Sequence, residues 1–316
     1  MKKFIIHRLL FMLPILLGIS IVNFFIIRLA PGSPMDMMIS PTMTEETRKT
    51  LERNLGLDAP IYKQYITWLK YTVQGNLGYS YNSYRPVTEI IAERIPATFL
   101  LMGVSLLIGL LFAIPLGTIS AVKQHSFFDY AATFIAFFGV SMPNFFIGLA
   151  MIYLFSIKLK LFPSSGMYTL GVGGDFFDIL HHLIMPAAVL SINICGRFLR
   201  YIRSSMLEIL DQDYMRTALS KGVPFFLRLK NHAFRNALLP IITLIGLEIP
   251  YLLGGAVITE QIFSWPGIGR LTIDSIMTRD YPVLMGLNLM TAVLVLLSSL
   301  ITDCMYAFFD PRIKYK

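Results

Sequence analysis

Glu248 is the one acid deep inside a long, otherwise uncharged stretch of this 316-residue sequence. A charge at mid-bilayer is costly, so an ionisable group there is a functional candidate by default. It either lines a water-filled path or hydrogen-bonds a neighbouring helix. Asp303 lies near the end of another such stretch. Two facing intramembrane carboxylates would suggest a proton relay, and a single deep one does not. Asn144, Asn193, Asn288 and Thr291 are milder cases, of the type that joins helices or lines a pathway. His181-His182 is the nearest approach to a metal pair, but adjacent residues project from different helix faces. Cys195 and Cys304 both sit in apolar runs, which suggests neither a disulfide framework nor a zinc site. There is no G-x-x-x-x-G-K-[ST] loop, no Gly-Lys pair, no G-x-S-x-G and no H-E-x-x-H. No catalytic residue, metal or cofactor is therefore expected in this chain.

The elements that must position these groups are apolar helices. Hydrophobic residues make up 55% of the chain and charged residues only 15%, with a mean hydropathy of +0.64. Soluble domains carry about 25% charged residues. Stretches free of Asp, Glu, Lys and Arg cover 9–27, 95–122, 130–157, 179–196 and 281–302, and a sixth, 236–259, is broken only by Glu248. A bilayer core about 30 Å thick needs about 20 apolar residues. Six spans are expected. The first is too long for the apolar part of a signal peptide, and Arg28-Leu29-Ala30-Pro31-Gly32 follows it rather than a small-residue cleavage site. Pro143, Pro186 and Pro250 are candidate kinks.

The net charge of +8 is explained by sidedness. With a cytoplasmic N-terminus, segments 1–8, 123–129, 197–235 and 303–316 lie inside and hold 15 basic and 6 acidic residues. The outer segments hold 12 of each. This is the positive-inside pattern, and it accounts for the basic pI without nucleic acid.

Two connections are long enough to fold. In the outer one, 28–96, Thr42 and Glu45 form a capping box for a polar helix ending near Gly56. Asp58 and Pro60 start a second helix, with Ile61, Tyr65, Trp68 and Leu69 on one face, ending at Gly75. This cap either meets a partner or packs on the membrane domain's outer face. In the inner one, 197–235, Asp213 caps a short helix over 214–221. Gly222 is free to take positive φ at its end, and Pro224 prevents continuation. A second, basic helix over 225–236 then leads into the fifth span. The pair reads either as a lever bearing on a partner or as a solvated basic loop. Within the short helix Tyr214, Thr217, Ala218 and Lys221 fall on one face.

Several motifs give the chain a resemblance. Leu29-Ala30-Pro31-Gly32-Ser33-Pro34 follows the first span. Leu55-Gly-Leu-Asp-Ala-Pro60, Gln64-Tyr65, Trp68-Leu69 and Gly75-Asn-Leu-Gly78-Tyr-Ser80 occupy the cap. Phe263-Ser-Trp-Pro-Gly-Ile-Gly-Arg270 and Asp280-Tyr281-Pro282 occupy the last outer loop, and Asp310-Pro311-Arg312 lies near the C-terminus. Over nearly its full length the chain resembles the membrane permease subunits of binding-protein-dependent ABC importers, closest to the oligopeptide/dipeptide/nickel branch. In that family a loop with an E-A-A-x-x-x-G core forms the coupling helix that sits in a groove on the ATPase. Arg216, Thr217, Ala218 and Gly222 occupy the motif positions here, with Lys221 before the glycine. The first two depart from E-A-A in the manner of the peptide branch. The spacing from Gly222 to Leu239-Pro240 is longer than in the general motif.

The resemblance implies an all-α permease with six transmembrane helices. Residues 1–27 would hold the N-terminus and first span, 28–96 the extracellular cap, and 97–316 the permease core, with the coupling loop at about 204–236. It implies a non-enzymatic subunit forming half of a pathway for short peptides, with nickel or metallophore complexes as the alternative cargo. The implied partners are a second homologous permease, two ATPase subunits that bind ATP and Mg, an extracellular binding protein and membrane lipid. The implied location is a bacterial inner or plasma membrane, with both termini cytoplasmic. The rival class is an autonomous secondary transporter. The implied coupling residues are Tyr214, Arg216, Thr217, Ala218, Lys221 and Gly222. Asn144, Asn193, Glu248 and Asn288 are the candidate pathway residues.

Overall fold

A computed structural model describes residues 2–29, 45–54, 56, 58–169, 171 and 174–309. Among them every regular element is a helix, apart from one isolated bridge between Tyr79 and Pro86. The helices are α1 (Lys2–Leu29), α2 (Glu45–Asn54), α3 (Ile61–Val73), α4 (Val87–Val122), α5 (Phe127–Ser141), α6 (Asn144–Met151), α7 (Phe176–Leu210), α8 (Asp213–Ser220), α9 (Phe225–Arg228), α10 (Arg235–Ile262), α11 (Ile268–Met277) and α12 (Tyr281–Phe309). π-helical turns follow α6 (Ile152–Lys158) and α9 (Leu229–Phe234).

Among the described residues, four helices are long and apolar enough to cross a bilayer: α1, α4, α7 and α12. The run 130–157 is not the single straight span its composition suggests. It is split into α5 and the α6 segment, bent by 99°. Met142 is extended because Pro143 crowds the α-conformation of the residue before it, and Pro143 then caps α6. Counted as one, the bent pair makes a fifth span candidate. Pro186 lies within α7 and Pro250 within α10 without ending either helix. The sixth uncharged run falls in α10.

Helix ends differ from the sequence expectation in the direction of longer helices. The second span begins in the nominal cap, because α4 starts at Val87. The segment 197–235 does not begin as a loop, because α7 continues to Leu210. Its 35 residues reach about 52 Å, well beyond the hydrocarbon core. α3 ends where expected, with Gly75 at φ +82 beyond its C-cap Gln74. α2 ends before Gly56, at φ +66. Thr42 of the expected capping box, residues 30–34 and residues 310–312 lie outside the described residues.

The chain forms two compact units. One comprises residues 1–97 and 267–297. There α1 meets α3 through Phe24, whose ring lies 5.4 Å from Tyr65 and 6.2 Å from Trp68, and through a 2.9 Å bond between the Ser20 and Tyr65 hydroxyls. Its core is Val87, Ile90 and Ile91 of α4 with Ile268, Val283 and Leu287. The other unit comprises 98–266 and 298–316. In it α4 and α7 run parallel, with Gly109 against Ile194 and Gly117 against Ile202. α5 runs antiparallel to α7, with Gly139 against Ile192 and Gly196 against Ala136. A Cβ at Gly196 would stand 2.6 Å from the Ala136 carbonyl oxygen, so the backbones touch only because that side chain is missing. α10 packs on both α7 and α6.

Candidate coupling and pathway residues

The short helix expected over 214–221 is α8, one residue earlier in register. Asp213 is not its cap: Gln212 holds that position, and Asp213 sits in the first turn, where its charge suits the helix dipole. Gly222 adopts φ +73, with its N–H bonded to the Leu219 carbonyl (2.9 Å) and the Val223 N–H to the Ala218 carbonyl (3.1 Å). These are the bonds of a Schellman stop. Pro224 begins α9, and the expected helix over 225–236 passes through the π-helical turn into α10 without a break.

The exposed face differs from the one inferred from spacing. Tyr214, Arg216, Thr217 and Lys221 are exposed, but Ala218 is buried, together with Met215. Ala218 therefore packs within its own chain rather than facing outward, and α8 lies against α9. Arg216 pairs with Asp211 at 2.9 Å, Thr217 donates to the Asp213 carbonyl, and Tyr214 accepts from Asn236. Leu219, Phe225 and Phe226 are exposed beside the polar face.

The pathway candidates separate. Glu248 is buried and paired with Arg197 of α7, a partner 51 residues away that the charge count assigned to a cytoplasmic loop. Asn193 lies one turn before Arg197 on α7, and its Oδ1 receives no hydrogen bond among the described residues. Asn144 opens α6 at the 99° bend, with its Oδ1 likewise buried and unbonded. Asn288 belongs to the other unit, is exposed, and donates to Asn23 at 2.7 Å. Glu248 of α10, through Arg197, and Asn193 thus meet on one stretch of α7.

Three further acids are buried and hydrogen-bonded, which the sequence did not reveal. Asp129 accepts a bidentate pair from Arg203 (2.6 and 2.8 Å), the Ser120 hydroxyl and the His125 N–H (3.0 Å). Glu260 accepts from Thr98 at 2.7 Å, while its carbonyl takes the N–H of buried Trp265. Asp280 accepts from the Ser80 hydroxyl and the Tyr81 N–H (3.1 Å), which brings together two motifs 200 residues apart. The partners Arg203, Thr98, Ser80 and Tyr81 are distant in sequence, and no periodicity marks them. His181 bonds the Leu161 carbonyl and His182 lies 3.3 Å from the Thr169 hydroxyl, and the described residues contain no cluster able to hold a metal.

Comparison with known proteins completes the picture. Residues 1–102 match the family described as the N-terminal part of binding-protein-dependent transport system membrane components. Residues 113–315 match the inner membrane component of such systems. The chain is 46% identical, over the whole of both chains, to the oligopeptide transport system permease protein AppB of Bacillus subtilis. It is 37% identical, again over the whole of both, to the dipeptide transport system permease protein DppB of Escherichia coli. Its fold is similar to a chain of the inward-facing MetNI methionine ABC transporter, at TM-score 0.58 and 14% identity over 70% of this chain and 96% of that one. A chain of an amino acid ABC transporter matches at TM-score 0.54 and 16% identity, over 70% and 94%. With both family segments present in order, and full-length relatives at 46% and 37% identity, this chain belongs to the inner-membrane permease components of binding-protein-dependent ABC importers.

Proposed function

We propose that the chain is one of two permeases in an ATP-driven importer of short peptides, with α8 as the element that engages a separate ATPase subunit. The observation that carries this reading is α8 itself. It is an eight-residue helix with an exposed polar face, stopped by Gly222 at positive φ, at the end of an α7 too long for the membrane alone. The chain has no phosphate-binding loop of its own, so a helix displayed in this way has a use as a lever for someone else's hydrolysis. The full-length relatives named for oligopeptide and dipeptide transport support peptide cargo. In this reading six spans cross the membrane with both termini inside, 28–96 forms the outer cap, and a binding protein delivers the peptide from outside. Closing of two ATPases on ATP displaces α8, and rigid helices carry the displacement to the pathway. Arg216, Thr217, Lys221 and Tyr214 meet the ATPase, while Ala218 and Gly222 set the shape of the projection.

The test is purification of the tagged chain from its native membrane in mild detergent, with mass identification of what accompanies it and an assay of ATP hydrolysis. A second permease and ATPase subunits should be recovered, and binding protein loaded with a short peptide should raise hydrolysis. Stimulation by a nickel chelate but by no peptide would replace the cargo and leave the permease standing. Recovery of the chain alone, where other membrane complexes stay intact, would overturn the reading in favour of an autonomous transporter.

A further inference from the structure

Asp129 joins four elements. It opens α5 as part of the turn capped by the Ser126 hydroxyl, and its carboxylate is 2% exposed. One oxygen takes Arg203 Nε of α7 (2.6 Å) and the Ser120 hydroxyl of α4. The other takes Arg203 Nη2 (2.8 Å) and the His125 N–H (3.0 Å) in the α4–α5 turn. All four acceptor positions of the carboxylate are filled. His125 is held at φ +61, a left-handed conformation unusual for a residue with a side chain, and such outliers persist where the surroundings over-determine them.

A buried ion pair is a weak source of net stability, because desolvation offsets most of its attraction; its best-attested use is to fix register. Elsewhere the α5–α7 contact includes close glycine packing, Gly139 on Ile192 and Gly196 on Ala136, and the Arg200 guanidinium 4.9 Å from the centre of the Phe137 ring. Packing of that kind resists separation but specifies register weakly against a slip of one turn, about 5.4 Å along the axis. A lever pushing on the end of α7 applies a load in that direction. Arg203 is seven residues, about 10 Å, from the last residue of α7, beyond which a two-residue turn leads to α8. The pair is the polar fastening of the α4–α5–α7 block at its α8 end.

We propose that Asp129, acting through Arg203, is a positioning residue for energy coupling: a register lock that makes α4, α5 and α7 move as one body when α8 is displaced. This rests on the reading of α8 given above. Without the lock α8 still docks and ATP is still hydrolysed, but part of the displacement is lost as slip of α7 past α5.

The measurement is the number of ATP molecules hydrolysed per peptide imported, in proteoliposomes containing the purified complex. Wild-type complex showing no ATP-driven uptake would remove the importer reading itself, and is distinguishable from failure of the lock. Given a working wild type, Asp129→Asn keeps the shape but loses the charge, and should raise the ratio about ten-fold or more, within the range of ordinary coupling energies. Its ATPase rate and subunit recovery should stay near wild type. A wild-type ratio, or uptake and hydrolysis falling in equal proportion, overturns the proposal. Arg203→Lys keeps charge without the bidentate geometry and should fall between the two. If Asp129→Asn is not recovered, Ser120→Ala, which leaves the ion pair in place, decides. A raised ratio supports the lock and an unchanged one overturns it.

Discussion

At the scale of the residue, Gly222 and Ala218 show two uses of a small side chain. No atom lies within 4 Å of where a Cβ on Gly222 would stand, so its requirement is conformational and not steric. At φ +73 a β-branched residue costs about 1–2 kcal/mol. Gly222→Val should therefore insert normally but weaken ATPase recovery or peptide uptake by about 5–30-fold. Gly222→Asn, which tolerates the left-handed region, should retain most of both. Normal uptake and complex recovery with Val would count against the role given to this turn. Ala218 is small for an internal reason, because it is covered by its own chain. Spacing alone put it on the face of Tyr214, Thr217 and Lys221, and only burial tells that it lies at the inner edge of that face. Glu248 was legible as an anomaly, since an acid in an apolar run is visible in one dimension. Its partner was not, because Arg197 looked like an ordinary charge at the end of a span.

At the scale of the element, the loop around Ser80 is held by a carboxylate from far along the chain. The Ser80 N–H bonds the Arg85 carbonyl, its hydroxyl accepts from the Asn82 and Ser83 N–H groups, and Asp280 fixes Ser80 and Tyr81 from the start of α12. Asp280→Ala removes the carboxylate that the Ser80 hydroxyl and the Tyr81 N–H donate to, at about 1–3 kcal/mol for a buried group. Amide exchange over 79–86 should quicken by about 10–100-fold while exchange over α7 stays unchanged. Unchanged exchange in the loop would show that the β-bridge between Tyr79 and Pro86 suffices. The bend between α5 and α6 teaches the complementary point. Pro143 marked a possible kink, yet Pro186 and Pro250 carried the same mark and stayed within continuous helices. A proline tells where a helix is free to break, and packing decides whether it does.

At the scale of the whole molecule, sidedness is the quantity on which the functional reading depends. With Cys195 and Cys304 replaced, single cysteines at Asn82 and Ser220 should react oppositely with a membrane-impermeant thiol reagent in intact cells. The cysteine at position 82 should label, and the one at position 220 should label only after permeabilisation. Labelling of both from outside would refute the cytoplasmic placement of α8 and with it any contact with an ATPase. Both positions are exposed, so failure to react reports the membrane and not burial.

The chain's class was legible in the sequence: an all-α membrane permease, its apolar runs, its short helix with a glycine stop and its family. These follow from local properties, since hydropathy, capping and turn chemistry act over a few residues. Tertiary structure alone decided which acids are paired, that the third run bends by 99°, that Ala218 faces inward, and that Asp129 gathers four elements through Arg203, Ser120 and His125. A salt bridge across 74 residues leaves no period in the chain. It exists only once helices have chosen neighbours, and that choice is made by packing, which sums contacts from all of them at once.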